Sequence, residues 1–183
     1  MVALEGILRK KITLLFLTLD QDENGFLERA DFERVANALD ALRGPAAVDE
    51  EDAPDVKANF IAIFDNIHKM MDLNANEKVE LEEWVAYFEK ALDDKVEFNK
   101  SVAPMADSIY KLLDHDGDGK ISLREFRHFA QVYRIEGKTE RLFAKLDRDQ
   151  NGVISTDEFA LAIDEFFRSE DEGAPGNGLF GEY

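Results

Sequence analysis

Asp114, Asp116 and Asp118 stand at alternate positions of the segment DHDGDGKISLRE, which Glu125 closes at its twelfth residue. Gly119 follows the third Asp, and Ile121 comes two residues later. Alternate carboxylates converge on one point only if the chain coils tightly, and glycine at the sixth position permits the positive φ this needs. A hard cation such as Ca²⁺ takes about six to eight oxygens in a flexible cage. Such a cage draws side chains from positions 1, 3 and 5, a carbonyl from 7, often a water at 9, and a bidentate Glu from 12. Here the set is Asp114, Asp116, Asp118, the carbonyl of Lys120, and Glu125. An acidic solvated loop has no reason to keep five such positions in order.

The pattern recurs. Asp147, Asp149, Asn151, Gly152, the carbonyl position Val153, Ile154 and Glu158 repeat it 33 residues further on. Asp20, Asp22, Asn24, Gly25, the carbonyl position Phe26, Leu27, Glu28 and Asp31 repeat it near the N-terminus, with Asp in place of Glu at position 12. A degraded fourth copy runs from Asp72 to Glu83, where Asn74 and Asn76 replace carboxylates and Glu77 replaces the glycine. Four copies of one twelve-residue pattern identify an EF-hand protein with four hands. Three hands are expected to bind Ca²⁺, and the second to be structural. A side chain at Glu77 should resist the left-handed turn by roughly 1–2 kcal/mol.

Each loop must be held between two helices, and the apolar spacing supplies them. The entering stripes are Ile12, Leu15, Phe16, Leu19; Phe64, Ile67, His68, Met71; Ala106, Ile109, Tyr110, Leu113; and Thr139, Leu142, Phe143, Leu146. The exiting stripes are Phe32, Val35, Ala36, Leu39; Trp84, Tyr87, Phe88, Ala91; Phe126, Phe129, Ala130, Tyr133; and Phe159, Ala162, Ile163, Phe166. Short helices of this kind are marginal alone, so hands must pair. Leu27 should meet Val79, and Ile121 should meet Ile154, across short antiparallel bridges. The expected fold is all-α, with two paired lobes in one globule. The expected division is 1–97 for the first pair, 98–168 for the second, and 169–183 for a tail folding back on the lobes.

Gly44-Pro45 should stop the second helix, and Pro54 suits the opening of the third, with an acidic loop between them. The lobe boundary should fall between Asp93 and Lys100, with Ser101 a helix cap and Pro104 in the first turn. The tail SEDEGAPGNGLFGEY has the composition of a flexible segment, yet it carries Leu179, Phe180 and Tyr183, which could plug the cleft between lobes.

Across 183 residues, 22 basic and 40 acidic side chains leave a net charge of −18, which disfavours nucleic acid and anionic membrane as partners. Cysteine is absent, which removes disulfides and thiolate chemistry. Ile12–Leu19 after Arg9-Lys10-Lys11 is too short for a signal peptide, lacks a small-residue cleavage site, and runs into a metal loop. No segment is long enough to span a bilayer, and Met1-Val2 lacks the myristoylation glycine. The expected location is the cytoplasm.

Loops one, three and four intact, loop two degraded, and a long insertion between the first hands resemble the invertebrate sarcoplasmic calcium-binding proteins. Glu83-Trp84 and the terminal segment from Pro175 to Gly181 fit as well. Calexcitin-like proteins and Ca²⁺-triggered photoproteins are similar at this level. The resemblance implies a compact globule with lobes face to face, and a cytosolic buffer of Ca²⁺ and Mg²⁺, often in muscle.

Asp31 is one methylene shorter than Glu and should favour six-coordinate geometry, which makes the first site a mixed Ca²⁺/Mg²⁺ site. His68 reads as a core packing residue, while His115 and His128 lie off the ligand and core positions. No nucleophile–base pair or phosphate loop is present, so no enzymatic activity is expected. A buffer is favoured over a sensor, which would need a target protein and an adaptable Met-rich groove: the chain has 4 Met against 14 Phe. A photoprotein-like luminescent enzyme ranks third. No obligate protein partner is expected.

Overall fold

The computed structural model describes residues 4–42, 56–135 and 137–183; the expected loop around Gly44, Pro45 and Pro54 lies outside them. α1 (Gly6–Leu19) enters the first loop, β1 (Phe26–Leu27) lies within it, and α2 (Arg29–Leu42) leaves it. α3 (Val56–Met71), β2 (Val79–Glu80) and α4 (Leu81–Asp93) form the second hand. α5 (Lys95–Leu113), β3 (Lys120–Ser122) and α6 (Leu123–Val132) form the third. α7 (Thr139–Leu146), β4 (Val153–Ser155) and α8 (Thr156–Arg168) form the fourth, before a single 3-10 turn at Pro175–Gly178.

Every entering helix ends the same way. The backbone N–H groups of Asp20, Asp72, Asp114 and Asp147 each close a last turn on the carbonyl four residues back, at 2.9 Å. Asp20 and Asp147 then leave helical geometry, with ψ of 76° and 81°. Exiting helices α6 and α8 start on capping boxes: Ser122 and Ser155 cap, and the N3 residues Glu125 and Glu158 reach back.

The strands pair antiparallel, with Leu27 opposite Val79 and Ile121 opposite Ile154, as the spacing predicts. These bridges lock each loop to its partner. The stripe residues bury, apart from partly exposed His68 and Tyr87; the side chains of Leu39 and Ile67 lie outside the description.

The two pairs share one hydrophobic core. α1 packs on α8 and α2 on α6, so each lobe faces the other. Phe88 stacks on Phe167 with ring centroids 5.2 Å apart, and the Trp84 indole donates to the Ile12 carbonyl at 2.9 Å. Trp84 is core, as its place in the repeat predicts.

Three expectations need correction. The helix entering the third loop starts at Lys95, not near Ser101, so Pro104 is interior and removes one helical hydrogen bond. Asp94 starts that helix instead, its carboxylate accepting from Val96 N–H at 2.8 Å. Glu77 does take the left-handed turn, at φ +63°, beside Gly25 at +85°, Gly119 at +78° and Gly152 at +89°. The Glu77 N–H donates to Asp72 Oδ2 at 2.9 Å, and Val79 two residues on pairs with Leu27. Tyr183 is 42% exposed and plugs nothing, whereas Leu179 and Phe180 are fully buried.

The tail docks through specific contacts. Phe180 lies among Phe129, Tyr133 and Phe166, with centroids 5.8, 5.2 and 4.8 Å away. Gly176 lies so close to α8 that a Cβ would sit 2.3 Å from the Ala162 carbonyl oxygen. Its N–H donates to Glu165 Oε2 at 2.8 Å. Lys11 completes the dock: its ammonium, fully buried, donates to the carbonyls of Glu165 and Ser169 and to Asn177 Oδ1 at 2.8–2.9 Å. All three protons have an acceptor, so the ammonium's hydrogen bonds are satisfied by neutral oxygens.

Candidate functional site

Three groups of carboxylates converge, one in each of the first, third and fourth loops. In each group one oxygen per residue lies within 4.8 Å of the others: Asp20, Asp22 and Asp31; Asp114, Asp116 and Asp118; Asp147, Asp149 and Glu158. No such group forms at Asp72–Glu83 among the described residues.

Backbone donors set the carboxylates. In the third loop, Asp114 Oδ2 accepts from Gly119 N–H at 2.9 Å, Asp116 Oδ1 from Asp118 N–H at 3.1 Å, and Asp118 Oδ1 from Lys120 N–H at 2.8 Å. The other oxygen of Asp114 is buried with no hydrogen-bond partner among the described residues. Burial, together with the charges of Glu125 and Asp118, pushes the Asp114 carboxyl above its usual range, against the pull of Gly119 N–H. An orphaned, charge-crowded oxygen at position 1 is what a divalent cation would satisfy. The donor set is all oxygen, which suits Ca²⁺ or Mg²⁺.

Glu125 at position 12 stands apart from that trio. Its Oε1 accepts from His115 N–H at 2.9 Å, and its Oε2 from Ser122 N–H at 2.8 Å and the Ser122 hydroxyl at 2.7 Å. One glutamate therefore both caps α6 and spans the loop ends.

The fourth loop repeats the arrangement. Asp147 accepts from Asn151 and Gly152 N–H, and Asp149 from Asn151 N–H, at 2.9–3.1 Å. Asn151 Oδ1 accepts from Val153 N–H at 3.0 Å, placing Val153 at the start of β4 with its carbonyl at position 7. Burial pushes Glu158 up, but the N–H and hydroxyl of Ser155 and the N–H groups of Arg148 and Asp149 outweigh it and hold this carboxyl low.

The first loop differs. Asp20 and Asp22 accept from Asn24 N–H at 3.1 and 3.3 Å, and Asn24 Oδ1 accepts from Phe26 N–H at 2.9 Å. Glu28 at position 9 is turned to Asn24 Nδ2 at 3.3 Å and to Lys78 Nζ at 3.4 Å. Asp31 is fully buried; burial raises its carboxyl, while Glu28 N–H and Arg34 pull it back. The Arg34 guanidinium bridges Asp31 and Asp22, at 2.8 Å from the latter. A basic side chain thus neutralises part of this ligand set from α2, a feature the loop pattern does not contain.

The histidines take no ligand position. His68 packs on Phe64 at 5.2 Å and His115 on His128 at 5.4 Å. Among the described residues no helix is long and apolar enough to cross a membrane.

A family model described as an EF-hand domain pair matches residues 105–164, the third and fourth hands. Luciferin-binding protein of Renilla reniformis is 27% identical over 177 residues, covering 94% of this chain and 92% of that one. Sarcoplasmic calcium-binding protein alpha chain of Penaeus vannamei is 29% identical over 177 residues, covering 88% of each. The fold matches a sarcoplasmic calcium-binding protein from amphioxus with a TM-score of 0.76 at 17% identity, over 98% of this chain and 99% of that one. The eight α-helices among the described residues, the paired loops and these likenesses agree. Residues 105–164 thus match an EF-hand domain pair, and over most of its length the chain is similar to sarcoplasmic calcium-binding proteins.

Proposed function

We propose that the chain is a cytosolic buffer in which cation binding itself is the activity, with no catalysis. Three Ca²⁺ would be held. One set is Asp20, Asp22, Asn24, the Phe26 carbonyl and Asp31, with Glu28 at position 9; the second is Asp114, Asp116, Asp118, the Lys120 carbonyl and Glu125. The third is Asp147, Asp149, Asn151, the Val153 carbonyl and Glu158. The short Asp31 favours six ligands, so the first hand would also accept Mg²⁺.

One observation carries the choice of buffer over sensor: Leu179 and Phe180 are buried, with Phe180 set among rings of the third and fourth hands rather than between the two pairs. A sensor must open a groove for a target helix. Here the chain fills that space with its own tail, and Lys11 and Gly176 hold it in place. A second reading, carriage of a small apolar ligand, is favoured by the likeness to the luciferin-binding protein. Such a ligand needs an enclosed cavity, and the ring cluster of Phe129, Tyr133, Phe166 and Phe180 argues against one there. The test is fluorescence of an environment-sensitive hydrophobic dye with the full chain, with and without Ca²⁺. A buffer leaves dye emission unchanged or lower on Ca²⁺ addition; a marked rise would move the reading to a sensor.

A further inference from the structure

A groove of about 670 Å³ opens where α1, the α6–α7 connection, α7 and the tail meet. Lys10, Arg134, Lys138, Arg141 and Lys145 line it, against only two side-chain carboxylates, Glu172 and Glu182. The whole chain carries a net charge of −18, so five cations around one groove are a local reversal of sign. Lys138 pairs with Glu182. Lys10, Arg134, Arg141 and Lys145 pair with no described residue. The nearby Arg127 and Arg148, by contrast, are satisfied on Glu140 and Glu165 at 2.9 and 2.6 Å. Glu182 feels the excess: contact with Lys138, and then the charges of Arg141 and Lys145, hold it below the usual carboxylate range.

Arg134 adds a second observation. It ends α6 at φ +55°, in the position where glycine is the unstrained choice. The chain accepts a strained backbone and keeps a cation facing the groove. Ile135, Leu142 and Pro175 supply an apolar floor beside the charges, and Tyr183 lies at the rim, 42% exposed.

We propose that this groove binds a small phosphorylated organic anion, with phosphate on the Arg134–Lys138–Arg141–Lys145 side and the organic part on Ile135, Leu142 and Pro175. Its volume lies within the range of small-ligand sites, roughly 300–1,000 Å³. Arginine favours planar, multidentate recognition of phosphate oxygens over simple charge pairing. The net charge of the chain decides against an extended partner. A membrane or nucleic acid would meet the surrounding negative surface, whereas a small anion within about 8–10 Å of the groove feels mainly the local cations. Occupation would compete with Glu182 for Lys138, linking the anion to the end of the tail.

The test is a ¹H–¹⁵N NMR titration of the full chain with adenosine diphosphate and, separately, with inorganic phosphate, at a free Ca²⁺ concentration held constant by buffer. Expected are shifts confined to the groove residues, Lys10, 134–135, 137–145 and 172–183, with the nucleotide binding more tightly than phosphate. Arg141→Glu with Lys145→Glu, both exposed, should weaken binding by on the order of tenfold or more. Arg127→Gln, outside the groove, should leave it unchanged. A melting curve matching the wild type confirms that the double variant is folded; if it is not, Lys145→Ala and Lys10→Ala replace it, each expected to weaken binding. Absence of shifts in the groove at millimolar ligand, equal binding by the charge-reversed chain, or changes confined to the metal loops through chelation would each overturn the proposal.

Discussion

Replacing Gly176 by Ala adds one carbon to the tail and tests whether the dock closes the molecule in solution. The new Cβ would fall 2.3 Å from the Ala162 carbonyl oxygen, 2.8 Å from Glu165 Cβ and 2.9 Å from Ala162 Cα. Two of these are helix backbone, which a rotamer change cannot move. The tail must therefore leave α8, and its departure exposes Leu179 and Phe180. Burying each contributes about 1.5–3 kcal/mol, or roughly 3–6 kcal/mol for both. The freed backbone recovers entropy of about 1–2 kcal/mol per residue, which offsets much of the loss. The net cost should be about 1–3 kcal/mol, the usual range for a forced overpacking. In a chain of this length that lowers Tm by several degrees, at roughly 2–4 °C per kcal/mol. Thermal melts in excess Ca²⁺, paired with dye emission, provide the assay. Gly173→Ala is the control, since its Cβ would meet only Asp171 at 3.3 Å, in the tail itself. If Gly176→Ala melts with the wild type and binds no more dye, the tail is not docked as described, and the reason for preferring a buffer falls with it.

The other expectations follow from the loops and from Lys11. Glu125→Gln and Glu158→Gln should each abolish one Ca²⁺ site in a calorimetric titration, because an amide forfeits the bidentate anionic ligand, while Glu83→Gln leaves the count unchanged. Asp31→Glu should shift the first site toward Ca²⁺ in competition against Mg²⁺, since the longer side chain can chelate with both oxygens; unchanged competition would assign selectivity to the rest of the cage. Burial lowers the Lys11 ammonium from 10.5 to about 8, against the opposing charge of Glu165. Between those values the unfolded chain holds a proton the folded chain has released, so raising pH across this window favours the folded state. Urea denaturation should show wild-type stability gaining up to about 3 kcal/mol relative to Lys11→Met from pH 8 to 10.5, and a flat difference would refute the burial of that charge.

Much of this fold is written locally. Loop ligands recur at fixed offsets, and the stripes Ile12–Leu19 and Phe159–Phe166 carry the helical period, so hands, pairing and bridges are legible without coordinates. The double use of Glu125 and Glu158 was missed in the loop pattern, although Ser122 and Ser155 three residues earlier carry its capping-box signal. Part of what escaped depends on contacts distant in sequence. Lys11 sits in a basic run that looks solvated, yet it lies four residues before Leu15 on the buried face, and only Glu165, Ser169 and Asn177 explain it. The tail glycines read as flexible because composition does not reveal that Ala162 lies 2.3 Å from where a Cβ of Gly176 would be. Arg34 escaped because it lies beyond the twelve-residue loop, one helical turn past Asp31. Pro104 misled because helix starts are judged by local breakers, and Asp94 had already begun α5.

The most direct test of the account is the number of Ca²⁺ ions bound by the full chain, measured by isothermal titration calorimetry in millimolar Mg²⁺. The carboxylate groups of the loops Asp20–Asp31, Asp114–Glu125 and Asp147–Glu158 predict three ions. The first loop must displace Mg²⁺ and should therefore show the weakest apparent Ca²⁺ affinity. A fourth stoichiometric ion would place a working site at Asp72–Glu83, and two or fewer would remove one of the three groups from the binding set; either count would contradict the account.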